Sequence, residues 1–255
     1  MTSLLPVVVG AAMAFQLAPA DVAGNFVPQS PRDMAAANPR LTDEERGDIM
    51  MARKMYLDAI DFYKPGAAKN AVLANKAGIA YHQMGDLNNA KKYYERAIKL
   101  DRTYPEAYNN LGTVQYAKKS YGNAIKNYEH ALALTPKSAS VWSNLGTAYF
   151  ARKKLNEALR AYQYALELDP EVFERRGSNG VLLQERSVEE KALFYYTLAK
   201  SYAQAGDLDR TMRYIRFALE NGFKDRKRFV EDAAFKPYQE IEQFKELLAS
   251  EPKVL

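Results

Sequence analysis

Residues 141–150 read VWSNLGTAYF, and residues 107–116 read AYNNLGTVQY, the same phrase 34 positions earlier. The interval reaches well beyond the phrase. Gly78, Gly112 and Gly146 are 34 apart, as are Ala90, Ala124 and Ala158; Tyr94, Tyr128 and Tyr162; and Ala97, Ala131 and Ala165. A fixed period of this length marks a chain built of supersecondary units that cannot bury their apolar faces alone and must stack. The columns suit that purpose. Glycine and alanine let two helices approach closely, and the tyrosines are expected to fill the gap between successive pairs.

Residues 139–172 carry Trp142, Leu145, Gly146, Tyr149, Ala158, Tyr162, Ala165 and Pro170 at the places where the tetratricopeptide family has its signature, and the chain resembles that family. Tyrosine replaces phenylalanine at one of them. The resemblance implies an all-α fold, a right-handed solenoid of antiparallel helix pairs with a concave groove. Three units follow, 71–104, 105–138 and 139–172, with two departures: Gln115 where tyrosine is usual, and Arg102 in place of the closing proline. A fourth unit, 192–225, is placed by its turn, because Gly206-Asp207-Leu208 repeats Gly85-Asp86-Leu87. This register leaves residues 173–191 as an inserted loop, a functional insertion or a spacer. A rival register, with Gly180, Ala192, Tyr196 and Ala199, continues the 34-residue ladder instead. Ser187 with Glu190 forms a capping-box pattern that starts a helix.

The flanks are looser. Thr42 with Glu45 is a second capping box, opening a degenerate helical unit over 41–66. There Ile49, Ala52, Met55, Tyr56, Ala59, Ile60 and Tyr63 read as one helical stripe, and Gly47-Asp48-Ile49 resembles the second half of a unit. Residues 226–255 read as capping helices for the open end of the stack. Residues 21–40, with three prolines, read as a linker. Residues 1–20 read as a signal peptide: Leu4 to Ala18 is uncharged and Ala18-Pro19-Ala20 has a small-x-small cleavage form. The run departs from the signal pattern in lacking a basic residue near its start, and a disordered or packed N-terminal arm is the alternative. The expectation is an exported, periplasmic or secreted bacterial protein, with a cytoplasmic one as the alternative.

In this family the first helix of each unit lines the groove. That implies candidate groove residues Asn75, Lys76, Asn109, Asn110, Thr113, Tyr116, Ser143, Asn144, Thr147 and Phe150, with Ile79 and His82 in the same columns. An asparagine amide both donates and accepts, so spaced asparagines can hold a peptide by its backbone. The Asn-Leu-Gly phrase is similar to the asparagine ladder of the O-linked N-acetylglucosamine transferases. The other reading is that Asn110 and Asn144 hydrogen-bond neighbouring helices. A basic clamp for a C-terminal carboxylate, the family's second mode, is not matched: Asn75, Ile79, Ser140 and Asn144 stand at its positions.

Composition narrows the rest. With no cysteine and two histidines, thiolate metal sites and cysteine nucleophiles are excluded, and histidine-based zinc or haem sites are not expected. No phosphate-binding glycine loop or catalytic constellation is found, so neither enzyme activity nor a cofactor is expected. A net charge of +5 is too small to argue for nucleic acid. No uninterrupted apolar run reaches the roughly 20 residues of a membrane span. The function expected is a non-catalytic scaffold that binds a protein or peptide in its groove. Two alternatives stand: an envelope-assembly subunit docking by its outer face or inserted loop, and an anion- or membrane-surface binder using the 210–228 face with Arg210, Arg213 and Arg216.

Overall fold

The computed structural model describes residues 30–33, 40–174 and 187–249. The expected signal peptide, most of the linker and residues 175–186 of the inserted loop lie outside the described residues. Within them the chain is an all-α solenoid of five antiparallel helix pairs and a terminal cap. The pairs are α1 (Asp43–Ala52) with α2 (Tyr56–Tyr63), α3 (Ala71–Gln83) with α4 (Leu87–Leu100), and α5 (Pro105–Ala117) with α6 (Tyr121–Leu134). The fourth is α7 (Ala139–Ala151) with α8 (Leu155–Leu168), and the fifth α9 (Val188–Gln204) with α10 (Leu208–Glu220). Each pair packs on the one before it through its first helix.

Every pair turns the same way. The residue after the first helix's cap is in the left-handed region: Lys54, Gly85, Lys119, Lys153 and Gly206, with φ between 58° and 78°. At each corner the next N–H closes back on the helix, as in Asp86 N–H to Tyr81 O (2.9 Å) and Lys154 N–H to Tyr149 O (3.0 Å). This is the Schellman closure, which satisfies carbonyls the helix end would leave open. The corner at Gly206 is the one the Gly-Asp-Leu turn marks.

The periodic glycines sit under the periodic tyrosines of their own pair. A Cβ at Gly78 would lie 2.6 Å from the Tyr94 ring, at Gly112 2.6 Å from Tyr128, and at Gly146 2.5 Å from Tyr162. The tyrosines therefore fill the space within a pair as well as facing the next one, where Tyr94 joins Leu111 and Val114 in one apolar cluster. The alanine columns at 90, 124 and 158 and at 97, 131 and 165 are fully buried.

The N-terminal unit corrects the one-helix reading of its stripe. The chain breaks at Arg53-Lys54, and residues 43–63 form a complete helix pair. Gly47 lies in its first helix, under Tyr63, in the column of Gly78 and not in a second half-unit. Both capping boxes form: Thr42 with Glu45, and Ser187 with Glu190. At the other end, α11 (Lys227–Glu231), a 3-10 turn (Ala233–Tyr238) and α12 (Glu242–Ala249) close the stack. They bring Phe229, Phe235 and Phe244 onto Tyr196 and Phe223, whose rings stack at 4.7 Å.

Candidate functional site

The first helices α3, α5 and α7 form the floor of an open cleft of about 1050 Å³. Asn75, Ile79, His82, Asn109, Asn110, Thr113 and Asn144 line it, joined by Glu106, Lys137, Ser138 and Ser140 from the helix starts. Half-burial, with no opposing charge, lowers the His82 pKa, which keeps the imidazole neutral in this wall.

The asparagines are partly spent on one another. Asn110 Nδ2 donates to Asn75 Oδ1 at 3.0 Å, and Asn144 Nδ2 donates to Asn109 Oδ1 at 3.0 Å. Asn75 Nδ2 in turn donates to the Tyr104 hydroxyl at 3.3 Å. Lys76 holds the same column one unit earlier and makes the same step backwards. Its ammonium donates to Glu44 at 2.7 Å and to Asp48 at 2.6 Å. Burial opposes the Lys76 charge, but the hydrogen bonds to Asp48 and Glu44 outweigh it and raise its pKa. Asp48 also accepts from the Tyr63 hydroxyl at 2.6 Å. A polar seam thus joins three successive unit boundaries.

What faces the cleft is what the seam leaves over. Among the described residues Asn109 Nδ2 and Asn110 Oδ1 take no hydrogen bond, and no buried side-chain nitrogen or oxygen lacks a partner. These two amide ends, a donor and an acceptor, are therefore accessible, and both residues line the cleft. Thr113 is engaged: its hydroxyl donates to Asn109 O at 3.1 Å and receives the Tyr128 hydroxyl at 3.3 Å.

Other candidates from the sequence go elsewhere. Ser143, Thr147 and Phe150 are buried, as Asn75 and Asn144 are, but unlike those two they do not border the cleft, and Phe150 is set edge-on to Phe194 in the core. Tyr116 packs against Tyr121 at the corner of its pair. On the basic face, Arg210 pairs with Asp207 at 2.6 Å and Glu174 at 3.0 Å, and Arg213 with Glu174 at 2.7 Å. The hydrogen bond to Asp207 and then the Glu174 carboxylate raise the Arg210 pKa. These two arginines anchor residues 171–174 and are neutralised there; Arg216 alone of the three is exposed without an ion pair among the described residues.

Glu44 and Asp48, the acids that hold Lys76, were not legible because 31 residues separate Gly47 from Gly78 instead of 34. The signal that finds them is a different interval. Glycine precedes its tyrosine by 16 in all four pairs, Gly47–Tyr63 included.

Comparison with known proteins agrees with this architecture. Residues 78–119 and 114–152 match the family described as TPR repeat, and residues 139–172 match Tetratricopeptide repeat. Among curated proteins, the Hsp70-Hsp90 organizing protein of Triticum aestivum is 33% identical over 90 residues, 33% of this chain and 15% of that protein. The chain thus spans a small part of that relative's length. Solved structures of similar fold include MamA (24% identity, TM-score 0.50, covering 71% of this chain and 96% of that one). MamA from Desulfovibrio magneticus RS-1 superposes with TM-score 0.51 at 18% identity, over 78% and 99% of the two chains. The APC/C hetero-tetramer Cut9-Hcn1 does so with TM-score 0.52 at 19% identity, over 86% and 38%. Residues 78–172 thus carry tetratricopeptide repeats.

Proposed function

We propose that the chain is a non-catalytic scaffold that holds an extended segment of a partner protein in the cleft over α3, α5 and α7. The observation that carries this reading is that Asn109 Nδ2 and Asn110 Oδ1, which take no hydrogen bond among the described residues, belong to two residues that line that cleft. A donor and an acceptor are what the C=O and N–H of a peptide backbone need, and any extended segment presents these whatever its side chains. The name of the wheat relative, which organizes two proteins, supports a protein partner. The same reading keeps the uncharged run from Leu4 to Ala18 as an export signal; the mass of the mature protein from its native host tests that directly.

The test of the cleft is a selection from a random peptide display library. Glu106 and Lys137 line the cleft and are exposed, so E106R/K137E alters the rim without touching the seam. Peptides selected by the wild type should bind the variant at least tenfold more weakly, and should crosslink to a photoreactive residue placed at position 140. Peptides that bind both proteins equally and crosslink elsewhere overturn the reading.

A further inference from the structure

Three of the five helix corners carry basic residues where the other two carry Gly85 and Gly206. They are Arg53-Lys54, Lys118-Lys119 and Arg152-Lys153-Lys154. Stacking places the corners side by side along one edge. The Lys118 ammonium reaches back to Asn88 Oδ1 of the preceding pair at 2.6 Å. The Arg152 guanidinium lies 3.7 Å from where a Cβ at Gly122, in the preceding pair, would be.

Little negative charge answers the three basic corners, whereas the two glycine corners carry Asp86 and Asp207, which cap their own second helices. Lys54, Lys119 and Lys153 are exposed and make no ion pair among the described residues. Among the described residues Lys154 pairs with Glu157 alone, at 3.5 Å. Around Lys118-Lys119, residues 117–126 contain no acid. The edge also exposes large apolar side chains. Leu57, three residues past Lys54, is 65% exposed, and Met84, at the corner position equivalent to Lys118, is 42% exposed. None of these residues lines the cleft.

We propose that this edge rests on an anionic lipid surface, with the corner cations over the headgroups and Leu57 and Met84 in the interface. A soluble acidic protein would account for the cations but not for two exposed apolar side chains set among them. A bilayer interface takes both, and each basic residue held near an anionic leaflet contributes roughly fivefold in partition. The edge and the cleft are separate surfaces, so a peptide and a membrane could be held together.

The test is flotation of the purified full chain with vesicles of phosphatidylcholine containing phosphatidylglycerol, beside pure phosphatidylcholine vesicles. K119G/K153G removes two cations where glycine fits the backbone, so it should fold at least as well as the wild type. Its partition onto the anionic vesicles should fall roughly 25-fold, from two such factors, and wild-type binding should weaken steeply with salt. R216Q/K224Q, which removes two cations away from the edge, should bind as the wild type does. Equal binding to both vesicle types, or equal binding by wild type and K119G/K153G, overturns the proposal. So does tighter binding to soluble polyglutamate than to the anionic vesicles, which would make the partner an acidic protein.

Discussion

Lys54, Lys119 and Lys153 hold φ near +60°, a conformation that costs a residue with a Cβ about 1–2 kcal/mol. Glycine avoids that cost but brings about 0.5–1 kcal/mol of extra chain entropy to lose on folding. Lys153→Gly should therefore stabilise the protein by about 0.5–1 kcal/mol, read as a higher urea midpoint with unchanged slope. The buried glycines behave oppositely. A methyl at Gly112 would meet the Tyr128 ring at 2.6 and 2.8 Å, and that ring is fully buried. Gly112→Ala should cost about 1–3 kcal/mol by overpacking. The fifth pair shows the relief, since it places Ala199 and Ile215 in those two columns, both fully buried. The double variant Gly112→Ala/Tyr128→Ile should thus lose less than the sum of its single changes, a coupling measurable by a urea-denaturation cycle.

At the scale of the element, the terminal cap depends on one carboxylate. Asp232 accepts from Lys200 at 2.7 Å, from the Tyr196 hydroxyl at 2.9 Å and from Ala234 N–H at 3.1 Å. Burial pushes its pKa up, but Lys200, the Ala234 N–H and the Tyr196 hydroxyl outweigh that and hold it below the usual carboxylate range. A group whose pKa is lowered on folding stabilises fully above its unfolded value, about 4, and that contribution is lost as pH falls through the folded value. Asp232→Asn should therefore be less stable than the wild type at pH 7, and the gap should narrow between about pH 5 and pH 2 in urea titrations. A gap that does not change with pH would mean that Asp232 matters by shape alone. The sequence made some elements legible and not others for a physical reason. Caps and corners are local, so Thr42, Ser187 and Gly206 marked their ends from a few neighbouring residues. The seam bonds join residues 28 to 35 apart, and which amide end is spent there depends on how two units dock. The asparagine columns were visible, but the split between Asn110 Nδ2, which is used, and Asn110 Oδ1, which is open, was not. Phe150 misled because the fifth pair, packed against the fourth, sets Phe194 edge-on to its ring.

Across the whole molecule each pair packs mainly on its neighbours, so stability is distributed as a chain of nearest-neighbour interfaces. Removing residues 226–255 would uncover Tyr196 and Phe223, now stacked under Phe229 and Phe235. Such a chain should lose hydrogen-exchange protection first in α9 and α10, while α3 to α6 keep most of theirs. Equal loss throughout would indicate one cooperative body. The 34-residue period made the stack legible, whereas the 31-residue step after Gly47 hid the first pair. The seam has one more consequence. In each amide bond the asparagine at the second of two adjacent positions in a unit reaches the asparagine at the first of those positions in the preceding unit, as Asn110 does to Asn75 and Asn144 does to Asn109. A tandem duplication of residues 105–138 would supply both halves again: the new Asn110 would meet the old Asn109, and Asn144 the new one. The boundary chemistry is the same on both sides of the copied module, so the array can lengthen by gene duplication without inventing a joint.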